Sequence, residues 1–325
     1  MRLHIRPKLA GKIVIVTGAS SGIGEAAAHA FAQAGAIVVL AARRAYSLER
    51  LATEINAAGG RALAVPTDLL DVRQITYLVQ KTMDEFGRID VLANIAGWGR
   101  YDWYEELSPE DLRKQFEVNV LAMAELTRQV VPIMQRQRSG HIINMSSYAS
   151  RIAIPIMTVY ASTKYAVEGL SDGLRRELAP WGIKVTRVHP GGVSGTEFNR
   201  KAAQRGGIEF KAPRLARVSK EQVARQLVEL VERPRRSLFI GRIYSLGVFF
   251  NRRLPSLVDT LSGLGVRWAR REALRRGTQA GDRTRVRLPQ IAALAGSLFL
   301  GILILGSLLQ RKSCSRPRST SGARS

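Results

Sequence analysis

Across the first 240 residues, short apolar runs alternate with longer amphipathic stretches, the pattern of strand–helix units in a parallel sheet. The runs Ile13–Val16, Ile37–Ala41, Ala62–Val65, Val91–Ala93, His141–Asn144, Lys184–Val188 and Ser237–Ile240 are predicted strands. Glu25–Gln33, Leu48–Ala57, Val72–Phe86, Pro109–Arg136, Tyr160–Leu178 and Lys220–Val231 are predicted helices. Together they predict an α/β fold, a doubly wound parallel sheet of Rossmann type forming one domain over residues 1–240. Right-handed crossovers then bring the C-terminal ends of the strands to one edge, where such folds bind ligands.

The pattern changes after Gly241. Residues 241–289 form a basic, amphipathic extension, with eight arginines between Arg267 and Arg287. Ile291–Leu309 follows, 19 residues without a charge, flanked by Gln290 and Gln310. At about 1.5 Å per residue this run approaches the roughly 30 Å thickness of a bilayer core. A transmembrane helix over 290–310 and a basic tail over 311–325 are therefore predicted; a buried core helix is the competing reading, but rarely keeps so long a charge-free run. Arginines and lysines lie on both sides of the run, so the positive-inside rule does not orient it. The N-terminal Met1–Lys8 lacks the apolar core and cleavage site of a secretory signal, and the expectation is a single-pass membrane protein with a cytoplasmic catalytic domain.

Composition narrows the chemistry. The 325 residues carry 50 Lys+Arg against 26 Asp+Glu, a formal charge of +24, which directs attention to cofactor phosphates, anionic lipid and nucleic acid. Nucleic acid is set aside, because no reading motif is present and the arginines crowd beside the apolar run. One cysteine, Cys314, and four histidines without ligand spacing exclude an internal disulfide and predict no metal. Cys314 lies just past the apolar run; a spare tail cysteine is a plainer reading than a lipidated one.

Directly after the first predicted strand comes Thr17-Gly18-Ala19-Ser20-Ser21-Gly22-Ile23-Gly24, leading into a helix. Glycines there let backbone approach a pyrophosphate, and a helix N-terminus supplies amide donors and a favourable dipole. No lysine follows the last glycine, which disfavours a nucleoside-triphosphate loop. The second strand ends Ala42-Arg43-Arg44, where an acidic residue would bind a free ribose hydroxyl and an arginine suits a 2′-phosphate. NADP(H) is therefore expected, with Arg43 as main contact and Ser20 and Arg44 assisting. Tyr160 and Lys164 are an i, i+4 pair on one helix face, and a neighbouring ammonium favours ionisation of the phenol.

The glycine loop, Asn94-Ile95-Ala96-Gly97, Asn119, Ser147, Tyr160 and Lys164 together resemble, in order and spacing, the short-chain dehydrogenase/reductase family over roughly residues 9–240. The resemblance implies that Tyr160 is the acid in reduction and the base in oxidation. It also implies that Ser147 binds the substrate oxygen, Lys164 also binds the nicotinamide ribose, and Asn119 holds a relay water. Coenzyme contacts carried over in the same way are Gly18, Ser21, Gly22, Ile23, Gly24, Asn94, Ala96, Gly97, Asp68 against adenine, and Pro190, Gly191, Val193 and Thr196 near the carboxamide. Asp68 is also a candidate cap for the third helix. The family's usual Asn-Asn-Ala-Gly appears here with Ile95 in second place, and Asn94 is expected to stabilise the central sheet. Ser147 is preferred over Ser146 by its thirteen-residue spacing to Tyr160.

The resemblance further implies a homo-oligomer built partly on the Tyr160–Leu178 helix. Specificity is assigned to Glu197–Arg217, and the membrane segment with the apolar stretches Ile243–Phe250 and Leu254–Leu264 suggests a small lipophilic alcohol or ketone. A non-enzymatic, membrane-bound dinucleotide scaffold or redox sensor is the alternative, since fold does not fix function. The intact Ser147, Tyr160 and Lys164 argue against it.

Overall fold

The computed structural model describes residues 9–202 and 217–280. Seven parallel strands form the sheet: β1 (Ile13–Thr17), β2 (Ile37–Ala42), β3 (Arg61–Pro66), β4 (Val91–Asn94), β5 (Gly140–Met145), β6 (Ile183–Pro190) and, after a short ladder of β7 (Val193–Ser194) with β8 (Val218–Ser219), β9 (Ser237–Ile240). Their order is β3-β2-β1-β4-β5-β6-β9. The chain therefore reverses its direction of travel across the sheet between β1 and β4, which opens a crevice at their C-terminal ends.

Both sheet faces are covered, so the strands are apolar on both sides. Val38 and Leu40 of β2 face one cluster with α1 (Gly22–Gln33), α2 (Ala45–Ala57) and, later in the chain, α8 (Lys220–Glu232). Val39 and Ala41 face the other, which includes α3 (Val72–Phe86) and α5 (Ala122–Gln137). Fully buried Phe31, Leu48, Ile75 and Leu126 anchor these helices, each contributing roughly 1.5–3 kcal/mol by burial.

Several sequence expectations need correction. The predicted Pro109–Arg136 helix is two helices, α4 (Pro109–Phe116) and α5, joined by a π turn at Glu117–Leu121. Apolar periodicity runs through such a turn without a break, so it left no gap in the pattern. The first helix begins at Gly22 rather than near Glu25, because its opening turn is the glycine loop itself. Helix α3 is capped by Asp71, whose carboxylate accepts from Arg73 N–H at 2.9 Å. Asp68 is not the cap; it accepts from Leu70 N–H at 3.1 Å in a local turn.

The extension folds as two helices, α9 (Arg242–Arg253) and α10 (Pro255–Ala280), following α6 (Thr158–Glu177) and the short α7 (Phe198–Ala202) in chain order. Polar contacts seat them on the core. Tyr148 Oη donates to Gly241 O at 3.1 Å and meets Ser245 Oγ at 2.9 Å, and Asn251 Nδ2 donates to Arg151 O at 3.3 Å. On α10, Arg270 bonds Glu105 at 2.6 Å while lying 4.4 Å from the centre of the Trp103 ring. Among the described residues no helix is long and apolar enough to cross a membrane. The predicted span at Ile291–Leu309 lies outside the described residues, as does most of Glu197–Arg217.

Candidate active site

The crevice widens into a cavity of about 710 Å³ that runs from the end of β2 to α10. At its floor the glycine loop turns against the β4 loop. Gly18 has φ +70°, and a Cβ there would lie 3.0 Å from Ala96 Cα. A Cβ on Gly24 would lie 2.2 Å from Gly18 O, so loop and helix can meet this closely only as glycines. Gly22, at φ +62°, sits beside Thr196. Ser21 precedes α1 in extended conformation without a side-chain cap, which leaves the first amides of α1 without intrahelical partners at the cavity. Thr17 Oγ1 receives Ile95 N–H at 2.9 Å and Ala96 N–H at 3.0 Å, shaping the adjoining loop. This backbone cradle fits the diphosphate of a dinucleotide.

At the cradle's outer end, Arg44 NH2 donates to Ser20 Oγ and to Ser20 O, both at 3.0 Å, while Arg43 and Asp68 also line the cavity. Two exposed guanidinium groups there face solvent with no carboxylate partner among the described residues.

The catalytic candidates converge where β4, β5 and α6 meet. Asn94 Nδ2 donates to Asn144 Oδ1 at 2.9 Å and Thr127 Oγ1 at 3.1 Å, tying β4 to β5 and α5. Ser147 follows β5; its Oγ accepts Ala149 N–H at 3.1 Å, and its hydroxyl acts on the Tyr160 phenol, favouring the ionised form. The neighbouring Ser146 hydroxyl turns the other way, donating to Glu168 at 2.6 Å, so of the two serines Ser147 is the one that acts on Tyr160. Lys164 Nζ donates to Met145 O at 2.9 Å and stands 5.6 Å from the centre of the Tyr160 ring. Asn119, within the π turn, is fixed by Trp98: its Oδ1 accepts Trp98 N–H and its Nδ2 donates to Trp98 O, both at 2.8 Å.

Burial pushes the Tyr160 phenol up to about 12, against a smaller downward pull from Ser147. Burial likewise brings Lys164 down to about 8. The sequence expectation of a lowered phenol is thus reversed in the protein alone, because desolvation disfavours both charged forms. A neutral, high-pKa phenol is a proton donor.

Beyond Tyr160 the lining becomes side chains. Tyr101 and Phe198 pack on Tyr160 with ring centres 5.7 Å away in each case. Trp103, Ile152, Ile154 and Met157 continue the wall. The extension completes it with Tyr244, Phe250, Val258, Leu261 and Val266. Tyr244 lies over the loop after β6, where a Cβ on Gly191 would meet its ring; Pro190, Gly192, Val193 and Thr196 also border the cavity. Sequence reasoning had not placed Tyr101 or Trp103 at a site; it assigned specificity to Glu197–Arg217, which holds Phe198, and drew on Ile243–Phe250, which holds Tyr244, without singling out either residue. Tyr101 follows the Asn94–Gly97 motif by four residues, the one local signal available; the rest come together only through tertiary structure.

Residues 12–206 match the family described as short chain dehydrogenase. Among curated proteins the chain is 35% identical over 225 residues to the ketoacyl reductase HetN of Nostoc sp., covering 69% of this chain and 76% of that one. It is 32% identical over 259 residues to a dehydrogenase/reductase SDR family protein 7-like of Anopheles gambiae, covering 77% and 81%. An alcohol dehydrogenase from the archaeon Thermococcus sibiricus, complexed with 5-hydroxy-NADP, superposes with TM-score 0.64 at 27% identity, over 72% of this chain and 97% of that one. A 7α-hydroxysteroid dehydrogenase complexed with NADH and 7-oxo glycochenodeoxycholic acid superposes with TM-score 0.63 at 27% identity, over 73% and 95%.

Proposed function

The chain belongs to the short-chain dehydrogenase/reductase family, and on that premise we propose that it moves a hydride between NADP(H) and a lipophilic alcohol or ketone at a membrane. The observation that carries this reading is the continuity of one cavity from Arg43 and Arg44, past Ser147, Tyr160 and Lys164, to the apolar wall of α9 and α10. NADP(H) is favoured over NAD(H) because β2 is followed by two arginines and no carboxylate, and guanidinium groups bind phosphate in a bidentate, charge-assisted manner.

The coenzyme, when bound, supplies or accepts the hydride at its nicotinamide ring. The protein's part is to hold the substrate oxygen and move one proton. Ser147 Oγ and Tyr160 Oη, which line the same cavity, present two groups to a carbonyl oxygen. In reduction Tyr160 Oη gives its proton to that oxygen; in oxidation it takes the proton back. Lys164 lowers the cost of the phenolate, and its effect is larger for being buried. Asn119 holds the relay water on this reading, its amide made rigid by Trp98.

Apolar side chains from Ile152 to Val266 favour a lipophilic substrate, since polar groups placed there would lose water without gaining partners. Membrane attachment is supported by the uncharged Ile291–Leu309 run and by exposed Phe249, Leu254, Leu257 and Leu264 among the arginines of α9 and α10. Exposed Leu121 and Tyr165, beside α5 and on α6, support a homo-oligomer through those helices.

The test is full-length protein in detergent, with a panel of lipophilic and small polar ketones and alcohols, against NADPH, NADH and their oxidised forms. Turnover of lipophilic members with NADP(H), lost in Tyr160→Phe, is the expected result. Preference for NAD(H) or for small polar carbonyls overturns those parts of the reading. Coenzyme binding without turnover of any compound favours the scaffold.

A further inference from the structure

Helix α6 carries Tyr160, Lys164, Glu168 and Asp172 four residues apart, on one stripe facing the sheet. Two of them grip the end of β5 in succession: Lys164 bonds Met145 O and Glu168 accepts from Ser146, while Tyr160 lies beside Ser147 in the cavity lining. Glu168 is 7% exposed and lies outside the proton path, yet its carboxylate gathers groups from several directions. On the serine side, Ser146 Oγ donates to Oε1 at 2.6 Å, and Arg151 NH2 bonds Oε2 at 2.5 Å. Ser150 Oγ lies 3.2 Å from the same carboxylate and donates to the carbonyl of Ser147 at 2.7 Å. On the β6 side, His189 Nε2 meets Oε1 at 2.8 Å and Arg187 NH1 meets Oε2 at 3.1 Å.

His189 is fully buried, stacked 4.2 Å from the Phe239 ring, and is followed at once by Pro190 and the nicotinamide-side loop. Burial raises the Glu168 carboxyl, but bonds from His189 and Ser146 and the nearby charges of His189 and Arg151 outweigh it and hold it below the ordinary value. An ionised carboxylate thus joins the side chains beyond the last rung of the β5–β6 ladder, where the Ser146 N–H···Val188 O bond at 2.8 Å fixes the strands but not the turns that leave them.

Resting on the dehydrogenase reading above, we infer that Glu168 is a positioning residue, fixing the Ser147 turn relative to the nicotinamide-side loop after Pro190. Hydride transfer depends on the distance between a carbon held from one loop and a ring held from the other, and a misplacement of about 1 Å costs on the order of 10²-fold in rate.

The test uses full-length protein with an active ketone from the panel. Glu168→Gln keeps the side-chain volume and an oxygen for Ser146, but removes the charge shared by Arg151, Arg187 and His189. The expected result is a fall in kcat of about 10²-fold, with NADPH affinity, read from nicotinamide fluorescence, changed less than about threefold. Ser150→Ala, which removes the hydroxyl that donates to the Ser147 carbonyl and packs against Ser146 Oγ and the Glu168 carboxylate, lowers kcat about fivefold, the equivalent of one hydrogen bond; it serves where Glu168→Gln does not fold. Asp90→Asn is the control for a structural role. Asp90 is another buried carboxylate held by arginine and lysine, at the opposite end of the sheet, and its loss lowers the melting temperature while leaving kcat unchanged. Wild-type kcat in folded Glu168→Gln, or in Ser150→Ala where that is the variant that folds, overturns the inference. A wild type that turns over no compound overturns the dehydrogenase reading instead.

Discussion

On the coenzyme side of the cavity the surface is largely backbone, with Gly18, Gly22, Gly24 and Gly97 letting the chain approach a ligand that its amides recognise. On the substrate side the surface is side chain, drawn from separate segments: Trp103, Ile152, Phe198, Tyr244, Phe250 and Leu261. Recognition by backbone tolerates no added atom at a few positions and is indifferent to most others. Recognition by side chains is graded, because each residue contributes its own area. Tyr160 and Lys164 stand at the seam.

The two kinds of surface predict different responses to substitution. The largest effect belongs to Gly24→Ala, whose Cβ has no room beside Gly18 O; the variant loses measurable NADPH binding, and a sharp drop in melting temperature accompanies it. Next, Tyr160→Phe removes the proton donor and lowers kcat at least about 10²–10⁴-fold, while fluorescence titration shows NADPH affinity unaltered. Arg43→Ala combined with Arg44→Ala weakens NADPH binding by roughly 10- to 100-fold, the value of lost charge-assisted bonds, and leaves NADH binding alone. An equal loss for both coenzymes assigns the arginines to the shared diphosphate instead.

Phe250→Ala or Leu261→Ala raises KM for lipophilic substrates about tenfold, as expected for a few lost methylene contacts, without touching coenzyme affinity. If coenzyme affinity falls as well, the two halves are not separable. The smallest effect is one of pH at the seam. Burial brings Lys164 to about 8 from an ordinary 10.5, so the folded state resists a proton that the unfolded chain accepts. Stability contributed at this residue therefore rises between pH 8 and 10.5 and is at its lowest below 8. Lys164→Met removes that slope, visible as a few degrees' relative drift in melting temperature across this range.

The same division explains what the sequence could and could not disclose. The glycine loop, Asn94–Gly97 and the Tyr160–Lys164 pair are local motifs, because backbone cradles and helix-face pairs are made by residues close in sequence. All seven strands of the sheet were legible for a similar reason, each being a short apolar run between turns. The substrate wall was legible only as broad stretches: Phe198 falls within Glu197–Arg217, Tyr244 within Ile243–Phe250 and Leu261 within Leu254–Leu264, but which of their members line the cavity, and that Tyr101 joins them, depends on tertiary structure. The cap offered for Asp68 beside its adenine contact belongs to Asp71, three residues on, which satisfies the same rule and sits one residue before α3. The π turn escaped because a helix with one extra residue keeps an apolar face on either side of it.

That extra residue has an evolutionary consequence. Each residue of an α-helix advances the chain by about 100°, so deleting one position from Glu117–Leu121 would join α4 and α5 into a regular helix. It would also swing Asn119 away from Trp98. The shortened chain has the more regular helix and the poorer site. Insertions and deletions here are therefore open to selection in opposite senses by durability and by turnover, so a lineage that abandoned the reaction while keeping the fold is expected to lose a residue in this turn before it loses one from the sheet.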